Sequence, residues 1–115
     1  MIFPKGVRIV AGLKYWLWLT TRKGMDPASA LVVMDHFVTP ERIYYADQEE
    51  YALFPLTERQ RRGLEDKSMG RPQDILADCD RLGVDIMTLQ DAAYPQRLRQ
   101  LADPPAVLYW EGKKF

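Results

Sequence analysis

Helix-start signals recur at short intervals through the middle of the chain, and they restrict its fold to short helices. Each signal places a side chain that accepts hydrogen bonds from backbone N–H groups before a proline, or three residues before a glutamate or glutamine. The four signals are Asp26-Pro27, Thr39-Pro40, Asp47 with Glu50, and Thr57 with Gln60. With Pro72 as a further helix start, they predict five or six short helices joined by tight turns.

The helix that starts at Pro72 is predicted to end at Gly83, because glycine readily takes the left-handed conformation beyond a helix C-terminus. The helix before it is predicted to run from Thr57 toward Met69. One apolar stripe of the Pro72 helix consists of Ile75, Leu76, Cys79 and Leu82. We expect Cys79 to be a core residue with a raised pKa, since it lies between two acids.

The most apolar segment, 13–19, predicts a helix at the centre of the fold. Leu13, Trp16 and Leu17 share helical spacing, and further apolar residues cover its other side. We therefore expect Trp16 and Trp18 to pack in the core rather than to stack on unpaired bases. Residues 1–12 are predicted to form a loose arm.

The pattern changes after Gly83, where the residues favour a short strand, a short helix and a second strand. Val84–Thr88 alternates as a strand does, Tyr94-Pro95 starts a helix, and Val107–Trp110 follows a proline stop. This series is typical of the opening of an α/β unit. The second strand is expected to lack a partner within the chain, and an unpaired strand edge is a liability. Tyr109 and Trp110 should point to opposite faces of it.

The predicted fold is therefore mainly α, a small helical bundle with a short strand–helix–strand end. We divide the chain into an arm (1–12), a helical domain (13–83) and a lead-in to a second domain (84–115). At 115 residues with 47% hydrophobic residues, it can bury a modest core.

Charge and cysteine content exclude several classes of protein. The 16 basic residues balance the 16 acidic ones, so nucleic-acid binding would need a local patch. A single cysteine excludes an internal disulfide and a cysteine-based zinc cage, which fits a cytoplasmic protein. No apolar run approaches the roughly 20 residues that a membrane helix needs.

One motif string carries a family resemblance. Tyr94, Pro95 and Leu98 are followed by Asp103-Pro104-Pro105, Leu108, Tyr109 and Gly112. This spacing resembles the DprA/Smf family of DNA-processing proteins. The Trp/Leu-rich first helix and the segment from Gly83 to Thr88 also look like that family.

The resemblance implies a two-part protein. A helical N-terminal domain, SAM-like or helix-hairpin-helix-like, would precede a Rossmann-like domain that binds single-stranded DNA, dimerises and helps to load the RecA recombinase during natural transformation. The chain would then hold the helical domain and the start of the next. The motif residues Tyr94, Pro95, Leu98, Asp103, Pro104, Pro105 and Gly112 would have structural roles.

The turn Lys23–Pro27 departs from a helix-hairpin-helix, because Asp26 stands where such a motif places a second glycine. The hairpin contacts DNA through backbone N–H groups at a helix N-terminus. An aspartate there would cap those donors itself and repel a phosphate. The turn is thus predicted to be degenerate as a DNA clamp.

Basic residues form two groups along the chain. The first contains Lys5, Arg8, Lys14, Arg22 and Lys23, and the second contains Arg59, Arg61, Arg62, Lys67 and Arg71. If the two groups meet in space, they can form a phosphate-binding patch, with Arg22, Lys23, Arg59, Arg61 and Arg62 as candidates. Ordinary solvated helix faces with local ion pairs are the alternative interpretation.

Motifs for catalysis are absent from the sequence. It contains no Walker loop, no Gly-x-Ser-x-Gly and no Gly-x-Gly-x-x-Gly, and its one histidine, His36, lacks partners for a metal site. We expect a helix-surface histidine, no cofactor and no enzymatic activity. The leading hypothesis is an accessory domain of a DprA/Smf-like protein, whose partners in full length are single-stranded DNA and RecA. The alternatives are a weak stand-alone DNA-binding module and a structural or homo-oligomerising domain.

Overall fold

The computed structural model describes the backbone of residues 5–111 and the side chains of residues 12–109. Within that range it contains seven helices and one two-stranded sheet. The helices are α1 (Lys5–Thr20), α2 (Pro27–Phe37), α3 (Pro40–Tyr45), α4 (Gln48–Tyr51), α5 (Glu58–Glu65), α6 (Gly70–Leu82) and α7 (Gln96–Arg99). The strands are β1 (Val84–Thr88) and β2 (Val107–Glu111). The predicted fold class, mainly α with a short strand–helix–strand end, is confirmed.

All four predicted caps begin a helix. Side-chain oxygens of Asp26, Thr39, Asp47 and Thr57 accept hydrogen bonds from the backbone N–H group three residues later. In the described part of the chain only Thr57 and Gln60 form both bonds of a capping box. These bonds satisfy donors that a helix N-terminus would otherwise leave unpaired.

The predicted N-terminal arm is wrong for residues 5–12, because α1 already begins at Lys5. Once the apolar segment 13–19 is helical, the helix can extend toward its N-terminus, and each added residue gains a hydrogen bond without the cost of nucleating a new helix. One glycine costs a helix about 1 kcal/mol, and Gly6 and Gly12 do not stop this one. Residues 1–4 lie outside the described range.

The boundary between α5 and α6 also differs from the prediction. Helix α5 ends at Glu65 rather than near Met69, and α6 begins at Gly70, two residues before Pro72. Proline is tolerated there because the first-turn N–H groups have no partner within the helix. Residues 66–69 therefore form an irregular link that crosses the end of α1.

Helix α1 lies between two apolar clusters, as its many-sided apolar pattern predicts. Trp18 and Leu19 belong to the larger cluster, which includes Val33, Ile43 and Leu64. On another side of the helix, apolar residues join a smaller cluster with the sheet and α6, namely Leu13, Trp16 and Leu17 with Ala106. The predicted core positions of Trp16 and Trp18 are confirmed, at 6% and 0% exposure.

Strand β2 has a partner, which corrects the expectation of an unpaired strand. It runs antiparallel to β1, with Val84 opposite Glu111 and Thr88 opposite Val107. The strand–helix–strand series therefore does not form a parallel β–α–β unit. Helix α7 is a single turn inside a closed loop, so the chain returns beside β1 in the opposite direction.

The apolar stripe on α6 is only partly covered. Ile75 and Leu76 pack against the smaller cluster, whereas Leu82 is 59% exposed. Cys79 is half-buried, so its predicted core position is wrong. The predicted direction of its shift is right, since burial and then Asp78 raise the pKa of the thiol.

Two further side-chain predictions concern His36 on α2 and the pair Tyr109 and Trp110 on β2. His36 is exposed on α2, as predicted, with its ring against Phe37 and Phe54. Tyr109 is 47% exposed, and the side chain of Trp110 lies outside the described residues.

Across residues 5–111, no helix combines the length and the apolar character needed to cross a membrane. A cytoplasmic location stays a prediction.

Candidate phosphate-contact cleft

The turn between α1 and α2 presents the end of the first basic group beside α5. Gly24 has a φ of +72°, in the left-handed region that glycine adopts without a Cβ penalty. Met25 N donates to Arg22 O at 3.2 Å, and Asp26 N donates to Gly24 O at 3.1 Å. These local bonds fix the direction in which Lys23 leaves the backbone.

Asp26 caps α2 as the sequence predicted. Its Oδ1 accepts from Ser29 N at 2.8 Å, and the hydrogen bonds from Ser29 lower the pKa of the carboxyl. A phosphate at this helix N-terminus would have to compete with a resident carboxylate of the same charge. The turn therefore contributes side chains, rather than a bare helix end, to any anion contact.

Helix α5 packs directly against this turn. A Cβ at Gly63 would lie 3.3 Å from Lys23 N and 3.4 Å from Lys23 O, so the glycine permits the close approach. Gln60, which is 8% exposed, binds the turn through Nε2, which donates to Gly24 O at 2.7 Å and to Ser29 Oγ at 2.9 Å. The end of α1, the start of α2 and the start of α5 are thus held as one unit.

Between the turn and α5 lies an open cleft of about 660 Å³, which we call the turn cleft. Residues from both basic groups line it, together with two acids. The lining residues are Thr21, Arg22, Lys23, Glu58, Arg59, Arg62, Gly63 and Asp66. Four of the five candidate site residues are therefore brought together in space.

Arg22 forms the floor of the turn cleft and is bonded to the protein itself. Its Nε donates to Trp18 O at 2.8 Å, and its Nη1 donates to Asp66 O at 3.0 Å. Nη1 also lies 3.2 Å from the Asp66 carboxylate, and the arginine side chain is only 7% exposed. Arg22 therefore shapes the cleft and adds positive potential, but most of its donors are already used.

Lys23, Arg59 and Arg62 are exposed cations of the turn cleft, and the first two form no ion pair among the described residues. Within the described chain, neither lies within 4.0 Å of a carboxylate oxygen. Arg62 pairs with Glu58 at 2.7 Å, but both side chains are at least 70% exposed, and such pairs contribute little. The cleft therefore offers two unpaired cations, with Arg62 available once it leaves Glu58.

Asp66 and Glu58 limit how strongly the cleft can attract an anion. Hydrogen bonds from Ser68, and to a smaller extent Arg22, lower the pKa of the Asp66 carboxyl. The Asp66 carboxylate is thus charged near neutral pH, and together with the Glu58 side chain it offsets part of the field of the four cations.

Arg61 is the candidate that does not reach the cleft. It is half-buried, and its Nη1 donates to Leu56 O at 3.3 Å. Arg59 and Arg62 are three residues apart and share a face of α5, whereas Arg61 lies off that face. Helical spacing alone could have separated these residues.

Two of the family-motif residues, Tyr94 and Pro105, form a hydrogen bond across the loop between β1 and β2, and we call this bond the clasp. Tyr94 is 3% exposed, and its hydroxyl donates to Pro105 O at 2.7 Å. The motif's tyrosine is thereby joined to its proline pair across the loop. Pro104 is buried, Pro95 precedes α7, Leu98 is half-buried and Asp103 is exposed. Gly112 lies outside the described residues.

Two residues that sequence reasoning missed complete the local structure. Arg99 lies over the Tyr94 ring at 4.9 Å and donates to Leu89 O at 2.7 Å and to Asp91 O at 2.9 Å, and these exposed bonds join α7 to the segment after β1. Gln60 was predicted only as part of a capping box, and no sequence signal reveals its bonds to the turn. In the range that the structure describes, no group of three or more His, Cys, Asp or Glu could hold a metal ion.

Comparison of this chain with protein-family models, with curated proteins and with solved structures finds no match.

Proposed function

We propose that the chain is a non-enzymatic helical domain that makes weak contacts to nucleic-acid phosphates through the turn cleft, as an accessory part of a DprA/Smf-like DNA-processing protein. The observation that carries the phosphate contact is the meeting of the two basic groups. Lys23 from the turn and Arg59 from α5 line the same cleft, and Arg22 lies beneath them.

The chemistry of the cleft favours the phosphate backbone over the bases. Flexible exposed cations neutralise phosphates without reading sequence. Trp16 and Trp18, which could have stacked on bases, are buried. The resident acids Glu58 and Asp66 reduce the net attraction, so the expected contact is weak and sensitive to salt.

The clasp between Tyr94 and Pro105 supports the family part of the proposal. It gives the separated halves of the motif one shared structural role, which is to close the loop that carries β2. Single-stranded DNA, RecA and natural transformation belong to the proposal for the full-length protein. The coding sequence downstream of Phe115 tests this part, since a glycine-containing β–α opening supports it and a stop codon contradicts it.

A DNA titration tests the phosphate contact. Labelled single- and double-stranded oligonucleotides are titrated at two salt concentrations with the wild type, with Lys23→Ala/Arg59→Ala, and with Arg61→Ala/Arg97→Ala as a control of equal charge. Each lost phosphate contact should reduce the steepness of the salt dependence by about 1 on logarithmic axes. The proposal fails if binding is absent at low salt, or if the two double variants lose affinity equally.

The homo-oligomerising alternative would have to use the second edge of β2, because β1 pairs with the first edge in the two-stranded sheet. Light scattering over a range of concentrations tests it, and a constant monomer mass would exclude it.

A further inference from the structure

Three aromatic rings from three different helices converge on the ammonium group of Lys67. Nζ lies 4.9 Å from the ring centre of Trp18 (α1), 5.2 Å from that of Tyr44 (α3) and 5.0 Å from that of Tyr51 (α4). All three distances are within the range of cation–π attraction, about 6 Å. We call Trp18, Tyr44 and Tyr51 the ring cage.

The walls of the ring cage are held independently of the ammonium group. Trp18 and Tyr51 are 0% and 1% exposed. Trp18 Nε1 donates to Asp66 O at 2.7 Å, and the Tyr44 hydroxyl donates to Lys67 O at 2.7 Å. The backbone of the link between α5 and α6 is therefore anchored by bonds that do not involve Nζ, and the lysine side chain can leave while its backbone stays.

A primary ammonium is an imperfect occupant of this cage. It carries three N–H donors, and among the described residues Tyr51 Oη is the one hydrogen-bond acceptor for Nζ. The Tyr51 hydroxyl in turn donates a hydrogen bond to Ile43 O. Burial, and to a smaller extent the positive charge of Arg22, lower the pKa of Lys67 to about 8, so this site disfavours the charged primary ammonium relative to water.

A methylated ammonium keeps its positive charge but lessens both difficulties. Methyl groups replace the N–H donors that need acceptors, they spread the charge, and they weaken hydration, so less is lost when the group enters the cage. Aromatic cages of this kind recognise quaternary ammonium and methyl-lysine groups.

We propose that the ring cage is a binding site for a methylated ammonium group, and that unmethylated Lys67 fills it in the present state. The group has two possible sources, which are Lys67 itself after N-methylation and a separate quaternary ammonium that displaces the lysine. Both present the same chemistry to the rings, and two experimental arms separate them.

The first arm places a trimethylammonium at position 67. In Lys67→Cys/Cys79→Ser, the introduced thiolate displaces bromide from (2-bromoethyl)trimethylammonium, forming a thioether that mimics trimethyl-lysine. The same alkylation of Lys23→Cys/Cys79→Ser is the matched control at an exposed position. We expect the methyl protons at position 67 to shift upfield through ring currents and the melting temperature to rise on alkylation, with neither change at position 23.

The second arm empties the ring cage. Lys67→Ala is titrated with tetramethylammonium and followed through the NMR signal of the Trp18 indole N–H. We expect saturable binding about tenfold tighter than in the wild type, where Lys67 competes. Binding should be lost in Lys67→Ala/Tyr44→Leu, which lacks one wall.

The two arms together decide the proposal and its source. A positive first arm alone assigns the cage to methylated Lys67, a positive second arm alone assigns it to a separate ligand, and two positive arms admit both. Failure of both arms overturns the proposal. The first arm does not depend on the folding of Lys67→Ala, so a misfolded alanine variant leaves the proposal open to refutation.

Discussion

Replacing Gln60 with alanine removes the side chain that joins α5 to the turn between α1 and α2. The variant loses two donated bonds, to Gly24 O and Ser29 Oγ, and one accepted bond, from Thr57 N at 2.9 Å. A typical intramolecular hydrogen bond contributes about 1 kcal/mol net. Since Gln60 is 8% exposed, water replaces its bonds poorly. We expect the free energy of unfolding to fall by about 2–3 kcal/mol.

Urea unfolding measures this loss, and Gln73→Ala is the matched control. Gln73 is an exposed glutamine on α6, and its replacement should change stability by less than about 0.5 kcal/mol. The midpoint for Gln60→Ala should move to lower urea with an unchanged slope. Equal stabilities of the two variants would refute the role assigned to Gln60.

Further predictions concern packing, pH and the motif loop. Gly63→Ala should lower the melting temperature because its Cβ meets the Lys23 backbone. Gly12→Ala, whose Cβ meets nothing within 4 Å, should instead raise the free energy of unfolding by about 0.5–1 kcal/mol. Similar shifts in the melting temperatures of the two variants would contradict the close approach of Gly63 to the turn. Burial lowers the pKa of Lys67 from 10.5 to about 8, so the unfolded chain binds more protons between these values. Urea unfolding should therefore show stability that rises from pH 8 toward 10 in the wild type but not in Lys67→Met. A hydrogen bond to Tyr45 raises the pKa of Tyr15 from 10.0 to about 12, so the folded chain binds more protons above pH 10. The free energy of unfolding should therefore fall as the pH rises above 10, and this fall should be smaller in Tyr15→Phe than in the wild type. Tyr94→Phe should lower the free energy of unfolding by about 1 kcal/mol, because it removes the hydrogen bond to Pro105 O. It should also speed hydrogen exchange at Leu89 N, which donates to Ala106 O. An equal effect in Tyr109→Phe would contradict the clasp.

The sequence predicted those features that local chemistry decides. A cap needs only an acceptor side chain and a neighbouring N–H group, so Asp26 and Thr57 could be identified without tertiary information. Gly83 has a φ of +71° at the end of α6, as a glycine stop requires. The many-sided apolar pattern of α1 likewise predicted its central position.

Features that depend on distant contacts could not be predicted in the same way. The direction of β2 follows from the loop across which Tyr94 bonds to Pro105, and strand alternation says nothing about that loop. Arg22 is bonded to the protein rather than free for a ligand because the link between α5 and α6 brings Asp66, far along the chain, next to its guanidinium. The ring cage arises because three helices deliver one aromatic ring each to the same point, and no spacing along the chain encodes that meeting.

The turn cleft as a phosphate contact is the central claim, and amide NMR of the wild type tests it most directly. A short single-stranded oligonucleotide added at low salt should shift the backbone signals of Lys23, Gly24 and residues 59–63. Those shifts should disappear as salt is raised. Shifts confined to α6 and α7, or no shift at any salt concentration, would contradict the account.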